Sequence, residues 1–436
     1  MKKLIRMIII AVLTSAIITG SLYFYNTNNT ESSMQQIQTQ SETSSDATGA
    51  TTVDAKQETL SESYVSESAD ESAVLVTNGG SATISDAKIN KKSGDCSNNE
   101  SGEFYGVNSG VLVQKDSTAI ISDTEINTSA GGANAVFATG EGAKIYLKNT
   151  TITTTGERSS RGLDATYGGY IEADNVKITT QGGSCAVLAT DRGEGTVIAK
   201  NSTLETNGSG SPVIYSTGDI SITNTKGTAN GSQMVVIEGK NSATVTNSTL
   251  TASASGNRGD TDVAGVMIYQ SMSGDAGEGT GTFTAKGSAL SVQKDSKYYK
   301  TAPMFFITNT DAVINLTDTK LAFGSGILIS AKGTDEWGTS GSNAGNVTLN
   351  AKKQTLKGDI EADKISSVTL NLEASSYEGT INKADSAKSV KLKLDKSSKI
   401  KLTGDSYVTS LENADSSNAN IDFNGYTLYV NGKAVK

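Results

Sequence analysis

The stretch Asn149-Thr150-Thr151-Ile152 returns as Asn175-Val176-Lys177-Ile178 and again as Asn201-Ser202-Thr203-Leu204, each copy 26 residues after the last. Asp86-Ala87-Lys88-Ile89, Asp123-Thr124-Glu125-Ile126, Asn247-Ser248-Thr249-Leu250 and Asp318-Thr319-Lys320-Leu321 repeat the same pattern. Asn or Asp comes first and a large aliphatic residue follows three places later. A fixed period of 20–50 residues marks a stacked architecture, in which each repeat buries its apolar face against the next. Asn and Asp tolerate the left-handed backbone of a tight corner. They are read here as a corner ladder, with Ile152, Ile178 and Leu204 pointing inward beside Thr150, Val176 and Ser202. Glu125, Thr151, Lys177 and Thr203 are expected to point outward.

A second phrase places three apolar residues before Thr or Ser: Val74-Leu75-Val76-Thr77, Val136-Phe137-Ala138-Thr139, Val187-Leu188-Ala189-Thr190, Val213-Ile214-Tyr215-Ser216 and Phe305-Phe306-Ile307-Thr308. A third run lies between the two, as in Ala143-Lys144-Ile145-Tyr146-Leu147. No helical spacing appears in these rows. Three short strands per repeat, separated by Gly, Asn, Asp or Ser, predict an all-β chain. The fold expected is a right-handed parallel β-helix, a solenoid of about 11 coils with C-terminal capping rungs. Lengthened coils place loops at 90–106, 253–263, 271–281, 293–302 and 332–345.

In the three-apolar phrase either the middle residue or its two neighbours face inward. The middle column is Leu75, Leu112, Phe137, Asp164, Leu188, Ile214, Ile237, Met267, Phe306 and Leu328, and it is read as the inward one. That reading buries Asp164 and requires a partner such as Arg161. The opposite reading puts a long apolar stripe outside, the mark of a binding face, and buries the following column with Tyr215 and Glu238.

The ends differ from the coils. Lys2, Lys3 and Arg6 precede the apolar run Met7–Ile18, which continues patchily to Tyr25. Residues 1–25 therefore read as a signal peptide or an uncleaved signal anchor, the only membrane contact expected, with the rest of the chain outside the cytoplasm. Residues 26–72 are Ser, Thr, Gln, Asn and Glu with few aliphatics, the composition of a disordered linker. The coils run from 73 to 345. From 346 to 436, clean alternation as in Val368-Thr369-Leu370-Asn371-Leu372 predicts final rungs and a cap that hides the last edge.

Composition narrows the chemistry. The 436 residues carry a net charge of −9, whereas a nucleic-acid binder carries a basic face, so no nucleic-acid partner is expected. There is no His, which removes imidazole-based triads and zinc sites. No cofactor or metal motif is present. Cys96 and Cys185 lie about three coils apart, roughly 14 Å along the axis at ~4.8 Å per layer. A disulfide needs Cα atoms within ~7 Å, so only a fold-back of the loop around Cys96 would join them.

The coils resemble adhesin-type right-handed β-helix proteins of bacteria, and Leu402-Thr403-Gly404-Asp405-Ser406-Tyr407-Val408 resembles the last rungs of autotransporter passenger domains. The phrases Ser160-Arg161-Gly162-Leu163-Asp164-Ala165-Thr166-Tyr167, Thr190-Asp191-Arg192-Gly193 and Trp337-Gly338-Thr339-Ser340-Gly341 are similar to a largely uncharacterised bacterial family with the same coils. In that family a His stands where Asp164 is here. The resemblance covers roughly 73–436 and implies fold, with no established activity.

Stacking brings Arg158, Arg161, Asp164 and Tyr167 of one coil near Asp191 and Arg192 of the next and Tyr215 of the one after. Arginines pair with carboxylates and tyrosines stack on sugar rings. These seven residues are the candidate ligand-binding set, and a polysaccharide or cell-surface glycan is the expected partner. The function expected is an exported adhesin-like or carbohydrate-binding β-helix. The alternative is a polysaccharide lyase or glycoside hydrolase drawing on Asp164, Asp191, Glu194, Asp260 and Asp262 with Arg158, Arg161, Arg192 and Arg258. Trp337, in an Asp-Glu-Trp-Gly loop, is either a sugar platform or a cover for the core end.

Overall fold

Each turn of the chain supplies one strand to each of three parallel sheets. The computed structural model describes residues 47–256 and 261–435. Within them a 12-stranded sheet runs from Thr48–Asp54 to Asp359–Ala362, and a 14-stranded sheet from Gln57–Leu60 to Ser410–Asn413. A 10-stranded sheet runs from Ser63–Ser66 to Lys320–Ala322. Every strand in these sheets pairs in parallel with its equivalent one coil away, the arrangement of a parallel β-helix. After Ala322 a four-stranded sheet, beginning at Thr355–Lys357, joins the final rungs. The chain closes in a small sheet where Leu428–Val430 pairs antiparallel with Lys433–Val435.

The opening phrase builds one corner and one wall of the core. Asp123, Asn149, Asn175, Asn201, Asn224 and Asn247 all have positive φ, between 48° and 55°. Their amides link coil to coil: Asn149 donates to Asp123 Oδ1 at 3.0 Å and Asn175 to Asn149 Oδ1 at 2.8 Å. Asn201 departs from the row and donates to Asp174 at 2.7 Å. Ile126, Ile152, Ile178 and Leu204 stand in register and are buried. Each contributes ~1.5–3 kcal/mol by leaving water.

The solenoid starts earlier than composition suggests. Strands begin at Thr48, inside the stretch read as linker up to 72. The first described rung carries few aliphatics, and Val53 and Leu60 fill its inward positions. The segments 1–25 and 26–46 lie outside the described residues.

The 12-stranded sheet corrects the inward reading of the middle column. Val74, Val76, Val111, Val113, Val136 and Ala138 form the core, while Leu75, Leu112 and Phe137 cluster separately on the outer face. The register also slips by one against the sequence alignment: Asp164 pairs with Ala189, Ala189 with Tyr215, Tyr215 with Val236 and Val236 with Met267. Leu188, Ile214 and Ile237 therefore point inward. The outward stripe is not exposed. Leu112 and Phe137 have no solvent exposure, and Met267 and Phe306 have 2%. Strands such as Val136–Thr139 and Val266–Tyr269 are buried at every position, whereas Lys144–Lys148 of the 14-stranded sheet alternates. The lengthened loops cover one face and leave the other half open.

Candidate functional site

The cover over the stripe begins with a helix, Asn99–Tyr105, in the loop at 90–106. Asn98 caps it, accepting from the Glu100 and Ser101 amides at 2.9 and 3.4 Å. Gly106 ends it at φ +67°. A Cβ there would stand 2.4 Å from the Phe137 ring, so the close approach also requires glycine. Asn134 donates to the Gly102 carbonyl at 3.0 Å, and Thr166 donates to the Phe104 carbonyl at 2.8 Å, tying the helix to the sheet.

Beneath the helix lies one buried cation among three carboxylates. Arg161, 5% exposed, reaches Asp164 Oδ2 at 2.6 Å, Asp191 Oδ2 at 2.8 Å and Glu103 Oε1 at 2.9 Å. Asp164 and Asp191 are buried, while Glu103 on the helix keeps a partly exposed side chain. Burial works against the Arg161 cation, but Asp164, Asp191 and Glu103 outweigh it and push its pKa further up. Burial lifts the Asp164 carboxyl to about 6 against the pull of Arg161. Burial also holds Asp191 well above the ordinary carboxylate range, with Asp164, Glu103 and Asp275 adding to it and Arg161 opposing. One cation does not neutralise three carboxylates, and the buried Asp164 and Asp191 retain protons to higher pH than free carboxyls do. Asp164 Oδ1 has no hydrogen-bond partner among the described residues.

Flanking contacts extend the cluster both ways. The Arg192 guanidinium sits 3.8 Å from the Phe104 ring centre and donates through Nε and Nη2 to Asp275 Oδ1 at 3.1 and 2.8 Å. Tyr167 stacks on Tyr105 with centroids 5.4 Å apart. On the other side Arg161 lies 5.9 Å from the Tyr215 ring centre. The Tyr215 and Tyr269 hydroxyls both donate to buried Glu238 Oε2, at 2.8 and 2.9 Å. Burial, then the Glu238 charge, holds both phenols well above their ordinary pKa. Trp337 closes this end edge-on to Tyr269 at 4.7 Å, against Val236, Met267 and Phe306.

Six of the seven candidate residues thus converge: Arg161, Asp164, Tyr167, Asp191, Arg192 and Tyr215. Arg158 does not join them. It lies exposed at a corner with φ +47°. Glu103, Asp275 and Tyr269 complete the arrangement without having been expected; Glu103 and Asp275 come from insertions, whose fold-back no period dictates. Of the acids considered for catalysis, Glu194 pairs with Lys240 at 2.6 Å, and Asp260 with Arg258 lies outside the described residues. Cys96 and Cys185 are both free thiols, each pushed to about 11 by burial. No three acidic or thiol side chains among the described residues are grouped to hold a metal ion.

The half-open face is different in kind. On the 14-stranded sheet Ile120, Tyr146, Glu172 and Ile198 stand in one outward row, and Lys144, Tyr170 and Thr196 in the next. Ile120 is 50% exposed and Tyr146 38%. The Tyr146 and Tyr170 rings lie 6.0 Å apart at a 54° tilt. Glu172 accepts from Lys200 at 2.6 Å and Tyr170 at 2.8 Å, and both bonds hold its pKa below the usual value. Farther along the sheet Asn315, Asn350 and Asn371 form an outward amide ladder with bonds of 2.9 and 2.8 Å.

Comparison of the chain with family models, with curated proteins and with solved structures returns no match.

Proposed function

We propose that this chain is an exported, surface-displayed β-helix of the adhesin-like type that binds polysaccharide or cell-surface glycan. Tyr146, 38% exposed, and half-buried Tyr170 lie side by side on the outer face of the 14-stranded sheet near Ile120, Ile198, Lys144 and Lys200, and this pair is the observation that carries the reading. Aromatic rings offer an apolar face to a sugar ring while their hydroxyls remain wet. Glu172, Lys200 and the amide ladder beyond them supply acceptors and donors along a face that runs parallel to the coil axis. The basic start and the apolar run Met7–Ile18 support export.

The buried set around Arg161 supports a different role, that of a clamp holding the insertion helix on the sheet. A lyase or hydrolase acting there requires Asp164 or Asp191 to touch substrate, and both are enclosed. Binding on the open face is therefore favoured over cleavage beneath the helix. Glycan-array and whole-cell binding by the folded chain, compared with the Tyr146→Ala/Tyr170→Ala variant, tests the reading. Retention that drops about tenfold or more in the variant supports it. A blank array with a folded wild-type chain sinks it.

A further inference from the structure

The helix Asn99–Tyr105 depends on its docking. Seven residues are too few to hold a helix in water without packing. The chain on either side is tied down independently: the Ser97 amide donates to Asp70 Oδ1 at 2.8 Å, and the Ser109 amide to Ser72 Oγ at 3.0 Å. Between those ties the helix meets the sheet through Gly102 to Tyr105. Gly102 and Phe104 accept from Asn134 and Thr166 through their carbonyls. The Phe104 ring packs on Arg192, the Tyr105 ring stacks on Tyr167, and Glu103 pairs with Arg161.

The charges at this contact do not balance. Arg161 and Arg192 face Glu100 and Glu103 from the helix, Asp164 and Asp191 from the sheet, and Asp275 from the insertion at 271–281. The Tyr167 and Tyr215 phenols and the Cys185 thiol are raised by burial and stay neutral below pH 8, with Glu238 bonded to Tyr215 beyond them. A closed helix keeps Asp164 and Asp191 out of water, where carboxyls hold their protons. A lifted helix returns them to water beside Arg161, and the protons leave. Opening therefore releases protons, and rising pH favours it. Glu103 adds to this, because charged aspartates compete with it for Arg161 and repel it. Its side chain is 35% exposed, against 0% for Asp164 and 4% for Asp191, so it is the partner that water replaces first.

We infer that Asn99–Tyr105 is a lid that mild acid holds closed and rising pH loosens. Beneath it lie Leu112 and Phe137, both without solvent exposure and packed against Gly106 at the end of the helix. The inference does not rest on the glycan reading.

Hydrogen exchange of the full chain, corrected for the intrinsic rate and followed from about pH 4.5 to 7.5, tests it. The Asn99–Tyr105 amides are expected to be less protected than those of the core strand Lys144–Lys148 at every pH. Their protection falls about tenfold or more across the range, the effect of one unit of carboxyl pKa between closed and open states. Asp164→Asn/Asp191→Asn, confirmed folded by thermal melt, removes most of that fall. Glu103→Gln, altered at the more exposed side chain, reduces it and serves where the double variant does not fold. Helix amides as protected as the core strand mean that the helix opens only with the whole fold, which overturns the lid. Protection level with pH, or a wild-type fall retained in the folded variants, overturns it as well.

Discussion

The Glu103 carboxylate, carried by a seven-residue helix in an inserted loop, meets the Arg161 guanidinium at 2.9 Å and closes that helix over two buried aspartates. Arg161 is the shared partner of both, so one cation holds the three carboxylates together. Removing one member of a buried charge set leaves the others uncompensated, which costs about 3–5 kcal/mol. Arg161→Met is expected to lose stability of that order at neutral pH in urea unfolding. It should also expose the amides of Asn99–Tyr105 to faster hydrogen exchange.

The same cluster sets a pH dependence. Asp164 titrates at about 6 in the folded chain, above its ordinary value of 3.8. The folded state therefore binds more protons than the unfolded state between roughly pH 4 and 6, and stability falls as pH rises through that window. Asp191, also raised by burial, acts in the same direction. Asp164→Asn removes one titrating acid and should flatten the stability profile between pH 4 and 6, read from denaturation midpoints at closely spaced pH values.

Gly106 carries two constraints, a positive φ and the Phe137 ring at 2.4 Å from any added Cβ. Gly106→Ala strains the left-handed backbone and crowds a filled contact, each worth ~1–3 kcal/mol. The variant should melt lower than wild type, with the loss concentrated in the helix and the Leu112–Phe137 contact beneath it.

The corner ladder gives a contrast between two small substitutions. Asn175 holds φ +55° and donates to Asn149. Asn175→Ala loses the bond and pays the left-handed penalty of about 1–2 kcal/mol. Asn175→Gly loses only the bond, because glycine adopts that backbone freely. Thermal melts should therefore rank wild type first, the Gly variant second and the Ala variant last.

Much of the architecture was legible because corners and core walls repeat. A left-handed corner favours Asn, Asp or Gly, although Lys353 and Ala374 occupy it in the last coils, and an inward strand position demands an aliphatic, so both recur with the coil. The facing of the middle column was not legible. Leu75, Leu112 and Phe137 are as apolar as core residues because insertions bury them from outside. The same apolarity made Leu188 and Ile214, true core residues, align one place out of register. The helix at Asn99–Tyr105 spans too few residues to show a period; only the Asn98 cap and Gly106 mark its ends. Arg161, Asp164 and Asp191 were found because they interrupt repeating phrases. Glu103 and Asp275 interrupt nothing, since the insertions that carry them do not repeat.

The most direct test of the account is equilibrium binding of one polysaccharide ligand, chosen from the array, to three folded chains: wild type, Tyr146→Ala/Tyr170→Ala and Asp191→Asn. The account predicts that the tyrosine variant loses about tenfold or more in affinity while still unfolding in a single cooperative melt, because stacking on two rings contributes at that scale. It predicts that Asp191→Asn, beneath the helix, alters stability and leaves affinity as it was. Affinity retained by the tyrosine variant and lost in Asp191→Asn would contradict it, and would return the binding site to the cluster around Arg161.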